Sequence, residues 1–257
     1  CGMLGSLGFR TPTGMVSTDF TTPESVEIHQ MLQTLKMAEV DNVVLEISSH
    51  ALELHRIDDV DVDIAVFSNL TPEHLDFHGE MENYFTSKLQ LFTGLSNMKT
   101  AVINIDDPYS DRICSATSAK IITYGINEKA DLHPVQSDFS LHGIRSQLQF
   151  REKNISVDTT LIGEYNLSNI IAASAVSLTM GIDPENIEQA LESLPPIPGR
   201  LEHIPCDCPG KVFVDYAHTP DAYEKLFSNL KNLTEEQVKI FVVFDCGGDR
   251  DSGKRKE

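Results

Sequence analysis

The chain has 257 residues, 40% hydrophobic and 7% aromatic, enough apolar material for one large domain or for one domain and part of another. Its formal net charge of -19, from 39 acidic against 20 basic residues, repels a phosphate backbone, so no nucleic acid is expected as a partner. No apolar run approaches the ~18 residues of a membrane span, and the N-terminus lacks the zones of a secretory signal, so a cytoplasmic protein without membrane insertion is expected.

The first helical pattern is "TTPESVEIHQMLQTLKMAEV", where Thr22 is placed to cap, Pro23 suits the first helical position and Glu24 complements the helix dipole. The runs "NVVLEIS" (42–48) and "DIAVFSN" (63–69) follow. With "TAVINI" (100–105) and "AKIITYG" (119–125) they predict strands buried on both faces. A helix over "MENYFTSKLQLFTGL" falls between the second and third of these strands. This alternation means an α/β protein with a mostly parallel sheet and flanking helices. From about Leu132 to Thr160 polar alternation predicts a small antiparallel extension.

Two helices are expected next, "NLSNIIAASAVSLTMGI" and "DPENIEQALESL", the second with Asp183 as cap and Pro184 in its first turn. The proline-rich joint "PPIPGR" divides a domain over 1–199 from a second unit over 200–257. That unit reads as strand, helix, strand through "KVFVDYAH", "TPDAYEKLFSNLKNL" and "KIFVVFDCGG". The five scattered cysteines predict reduced thiols. A start at Cys1 and an end within "GGDRDSGKRKE" predict a piece of a longer protein.

In parallel α/β sheets, ligands bind at the carboxyl ends of the strands. Glu46, Ser48, Ser49 and His50 end one predicted strand, Asn69 and His74 the next, Asp215 and His218 a third, and Asp249 follows a fourth. Taken singly, each has a plain structural explanation: an ion pair for Glu46, a satisfied core histidine for His50, a cap for Asp215. Together they form a polar edge able to hold a divalent cation, and magnesium suits few protein ligands plus water and substrate phosphate. His74 and His78, four apart, also invite a zinc-hydrolase reading, but Leu75 stands where that motif needs glutamate. Gly248 to Lys254 has the spacing of a phosphate loop, yet Arg255 replaces its Ser or Thr, and Asp249 and Asp251 repel phosphate.

The motifs "LEISSHALELHRI", "AVFSNLTPEHLDFHGEMENYFTSKLQLF", "GEYNLSNIIAA", "PGRLE", "VDYAHTPDA" and "GGDRDSGKR" resemble, in order and spacing, the MurE branch of the Mur ligase family. The resemblance covers nearly the whole chain. It implies a Mur ligase central ATPase domain lacking its opening strand and phosphate loop, then the start of a Rossmann-like C-terminal domain. It implies an ATP-dependent amide-bond ligase that adds a diamino acid, meso-diaminopimelate or L-lysine, to UDP-MurNAc-L-Ala-D-Glu through an acyl phosphate. Such a ligase acts as a monomer, with this stretch inactive by itself.

By the same resemblance Glu46 and His74 are magnesium (Mg2+) ligands, and Lys88 is the lysine that carbon dioxide converts to a carbamate able to hold a second ion. Thr21, Thr22, Ser48 and Arg56 would bind the UDP-muramoyl peptide. Asn166, Asn169, Arg200 and Asp215 would contact ATP, and Arg250 the incoming amino acid. Asp245 departs from the family's usual glycine. A sibling ligase, or a non-catalytic remnant that keeps the fold, would share much of this pattern.

Overall fold

Three strands too short to show as apolar runs in the sequence open the chain. β1 (Gly2–Gly5), β2 (Gly8–Thr11) and β3 (Gly14–Val16) form an antiparallel meander. The computed structural model describes residues 1–127, 129–207, 209–234 and 237–244. Gly8 turns the chain at φ 115°, where an added Cβ would meet the Val16 carbonyl oxygen at 2.5 Å, so only glycine fits.

α1 (Ser25–Met37) starts after Glu24, not at Thr22. Glu27 Oε2 accepts from the Glu24 backbone N–H at 3.1 Å, one half of a capping box. Thr22 does not cap because its hydroxyl is spent across the fold, donating to Glu46 O at 2.8 Å and accepting from Ser48 N at 3.0 Å. Ile28 and Leu35 turn the helix's apolar stripe inward. β4 (Val43–Leu45) pairs in parallel with β1 and completes a sheet of order β3-β2-β1-β4.

After the short α2 (Ser49–Glu53), β5 (Ile64–Phe67) begins the second sheet. α3 (Leu75–His78) and α4 (Met81–Thr93) connect it to β6 (Thr100–Asn104), and α5 (Ser110–Ala116) leads to β7 (Lys120–Tyr124). β5, β6 and β7 run parallel. β8 (Leu132–Ser140), β9 (Gly143–Phe150) and β10 (Lys153–Thr159) extend the same sheet, β9 and β10 antiparallel, as the polar alternation predicts. The order is β10-β9-β8-β7-β6-β5. α6 (Glu164–Thr179) and α7 (Pro184–Glu192) cover it through Leu167, Ile171 and Ile187, packed on Leu132, Ile144 and Ile155.

The structure revises four expectations. The parallel strands fall in two sheets, so β6 is buried along its whole length while Val43, Val44 and Val66 on the edge strands β4 and β5 are exposed. The second unit holds an antiparallel pair, β11 (Glu202–Ile204) with β12 (Val212–Val214), followed by α8 (Pro220–Leu233). Residues 239–244 are not a strand: no ladder among the described residues receives them, Phe241 and Val243 are exposed, and the rest of that expected run lies outside the described residues. Cys1 and Cys114 are free thiols, whereas Cys206 is disulfide-bonded, which an odd cysteine count does not forbid.

Candidate functional site

The carboxyl ends of β4 and β5 converge. The His50 ring, just after β4, meets the His74 ring, just after β5, edge to face with centroids 4.8 Å apart. His74 sits at φ 57° in the left-handed region and precedes α3, a conformation uncommon outside glycine that re-aims the chain at the strand end. His74 and His78 therefore do not share one helical face. Among the described residues no three His, Cys, Asp or Glu form a group fit for a metal ion, so the zinc reading has no ligand set.

Glu46 stands at the end of β4, where its Oε2 accepts from the Ser6 backbone N–H at 2.7 Å. Ser6 Oγ lies 3.1 Å from Thr21 Oγ1. Thr22 is 1% exposed, so its bonds to Glu46 O and Ser48 N fix this corner rather than face solvent. Ser48 Oγ accepts from Ala51 N at 3.2 Å and caps α2. Arg56 donates from Nη1 to Thr22 O at 2.9 Å and pairs through Nη2 with Glu24 at 2.7 Å, while its buried Nε has no partner. The fold thus gathers Thr21, Thr22, Glu46, Ser48 and Arg56, and any part Thr22 takes in binding runs through the groups it positions.

Lys88 projects from α4 beside the Tyr84 ring, its Nζ 5.2 Å from the centroid. Among the described residues no carboxylate lies within ion-pair distance of it. Burial holds its amine below the usual lysine range, against the opposing pull of the Glu73 and Glu46 carboxylates. Burial, aided by Glu73, likewise pushes the Tyr84 phenol up to about 12. His50 is lowered by burial first and then by the neighbouring His74 and His78. Glu73, which sequence reasoning did not single out, links the cluster to the second unit. Its Oε1 lies 4.0 Å from His74 Nε2 and 3.2 Å from His218 Nε2. Only tertiary contact reveals this role, since His218 is far along the chain.

Asn166, Arg200 and Asp215 lie at the joint. Asn166 is fully buried, donates from Nδ2 to Ile162 O at 2.8 Å and leaves Oδ1 without a partner. Asn169, one helical turn on, is exposed, as is Arg200. Asp215 accepts from Leu201 N at 2.8 Å and Ala217 N at 2.9 Å. Burial, then the Asp215 charge, pushes up the Tyr165 phenol, whose hydroxyl is also unpartnered. The second unit is tied on by Asn229 Oδ1, which accepts from Glu164 N at 2.9 Å. Arg250, Asp245 and the phosphate-loop-like run lie outside the described residues.

Comparison with known proteins gives this arrangement a family. Residues 1–177 match the Mur ligase middle domain and residues 199–257 the Mur ligase, glutamate ligase domain. The chain is 39% identical over 237 residues to the UDP-N-acetylmuramoyl-L-alanyl-D-glutamate--2,6-diaminopimelate ligase of Syntrophomonas wolfei, covering 91% of this chain and 48% of that protein. A solved structure of a UDP-N-acetylmuramoyl-L-alanyl-D-glutamate--2,6-diaminopimelate ligase superposes with a TM-score of 0.77 at 34% identity, covering 99% of this chain and 52% of that one. The MurF ligase of Thermotoga maritima in complex with ADP shares the fold, with a TM-score of 0.63 at 20% identity over 77% of this chain and 47% of that one. The chain spans about half the length of the curated relatives it matches. With the middle-domain match alone covering residues 1–177 of 257, the chain belongs to the Mur ligase family.

Proposed function

We propose that this chain forms the catalytic middle of a cytoplasmic, monomeric ATP-dependent ligase that joins 2,6-diaminopimelate to the D-Glu carboxylate of UDP-MurNAc-L-Ala-D-Glu. The desolvated Lys88 of α4, acted on by the Glu46 and Glu73 carboxylates, with Glu73 4.0 Å from His74, carries this reading. The printed name of the Syntrophomonas wolfei relative supports the amino acid, and the ADP-bound MurF structure supports the nucleotide.

The donor set fits magnesium, which needs one or two protein carboxylates and takes the rest of its shell from water and phosphate. Glu46 keeps one carboxylate oxygen free of Ser6, and the partly exposed His74 ring lies 4.0 Å from Glu73, whose charge acts on Lys88 together with that of Glu46. When bound, magnesium would neutralise charge that builds on phosphoryl and acyl oxygens. The chain's own residues supply the frame. Burial favours the neutral Lys88 amine, the form that adds to carbon dioxide and gives up a proton to become a carbamate anion. Arg56, held between Thr22 and Glu24, presents a fixed cation to an anionic peptide. Glu73 and His218 draw the second unit toward the strand ends, and closure of such a joint keeps water from an acyl phosphate.

The test is ATP-dependent ligation by the longer protein that carries this segment. Lys88→Ala is expected to remove ligation while nucleotide binding at the joint persists. Full activity of Lys88→Ala would overturn the reading and favour a remnant that keeps the fold without the chemistry.

A further inference from the structure

α2 and α4 are joined by a chain of four side chains, three of them buried and ending on the exposed Glu53. Ser87 Oγ lies 2.6 Å from Glu53 Oε2 and 3.5 Å from His78 Nδ1, and His78 Nε2 lies 2.9 Å from Ser49 Oγ. Ser49 and Ser87 are each 1% exposed and His78 is 7% exposed. The ring is held in place by stacking on Tyr84, with centroids 5.0 Å apart, and Asn83 Nδ2 donates to His78 O at 2.9 Å.

Donor counting gives the chain a direction. A carboxylate only accepts, so Ser87 spends its single proton on Glu53. The Ser87 oxygen then accepts, and its only ring neighbour able to donate is a protonated Nδ1. A neutral imidazole carries one proton, which leaves Nε2 as the acceptor for the Ser49 hydroxyl. The bonds thus run from Ser49 through His78 and Ser87 to Glu53, the last three lining a cavity of about 440 Å3 with Phe77 and Gln90.

We propose that His78 is a positioning residue. Its Nδ1–H tautomer, set by Glu53 through Ser87, holds α4 in register with the turn at Ser48 and Ser49 and so places Lys88, the residue after Ser87. The proposal rests on the part given to Lys88 above. It concerns a tautomer and a helix register, both measurable without ligation.

Nitrogen-15 NMR of histidine-labelled protein near neutral pH reads the tautomer directly. His78 is expected to show a protonated Nδ1 and a bare Nε2. Ser87→Ala, and separately Glu53→Ala, are expected to move it to Nε2–H, and Ser87→Thr to restore Nδ1–H. A ring that is Nε2–H or doubly protonated in the unaltered protein would overturn the proposal, as would an unchanged tautomer in both alanine variants. In the longer ligase, Ser87→Ala is expected to lower kcat about tenfold while KM for ATP stays within about twofold, the split expected when a reacting group is misplaced. An unchanged kcat beside a shifted tautomer would overturn the positioning role and leave the ligase reading standing. An unaltered protein that shows the Nδ1–H ring but no ligation would overturn the ligase reading, and the placement of Lys88 with it, and leave the tautomer standing.

Discussion

Thr22 and Glu46 are joined by one partly buried hydrogen bond, Thr22 Oγ1 to Glu46 O at 2.8 Å, and the same hydroxyl receives Ser48 N at 3.0 Å. A single side chain thereby closes the corner between the segment entering α1 and the end of β4. Thr22→Val keeps the shape and strips both bonds from the partly buried Glu46 carbonyl and Ser48 N–H, at a cost of about 2 kcal/mol. Thr22→Ser keeps both bonds and loses one methyl, about 1 kcal/mol. Urea unfolding midpoints of the two variants are the check, and equal losses would contradict this account.

Two histidines of this cluster make stability depend on pH. The folded protein lowers His50 and His78 below the ordinary histidine value of 6.5, in both cases chiefly through burial. The unfolded chain therefore binds protons more readily, and this stability is fully present above pH 6.5 and falls as pH drops through the lowered folded values. Thermal melts from pH 8 down to pH 5 should show a declining Tm beginning near 6.5. His78→Asn should shallow the decline.

Phe85 is a sensitive core position. It is fully buried, stacks on Tyr109 with centroids 4.8 Å apart, and carries the Arg112 guanidinium 4.0 Å from its ring centroid. Phe85→Ala is expected to cost about 3–5 kcal/mol, and Phe85→Leu under about 1.5 kcal/mol because volume is nearly kept. Denaturant titration distinguishes the two.

Gly163 governs the approach to the joint. Its φ is 94°, and an added Cβ would meet Tyr165 Cε1 at 3.0 Å and Asn229 Oδ1 at 3.3 Å. Gly163→Ala should destabilise by more than about 1 kcal/mol. It should also raise hydrogen exchange at the Glu164 N–H, which Asn229 now protects. Unchanged exchange there would show that the contact with α8 survives the substitution.

Much of this architecture was legible in the sequence. Val- and Ile-rich runs alternating with helical periods led to the parallel strands β5, β6 and β7, polar alternation led to β8, β9 and β10, and Asp183-Pro184 marked the start of α7. These features rest on local periodicity and backbone preference, which neighbouring residues alone decide. The sequence also proposed Glu46 and His74, because strand ends are where α/β folds leave polar groups exposed.

The tertiary structure decided the rest. The opening meander has strands of three or four residues, too short for a period to show. Thr22 looks like a cap in sequence and serves as a cross-link, because Glu46 O and Ser48 N compete for its hydroxyl. Residues 239–244 have strand composition but no ladder, since strand formation needs a partner edge that composition does not supply. The Glu73 to His218 contact and the Ser49, His78, Ser87, Glu53 chain join residues from separate elements. Hydrogen bonds of that kind depend on where folding sets each donor, so local sequence carries no trace of them.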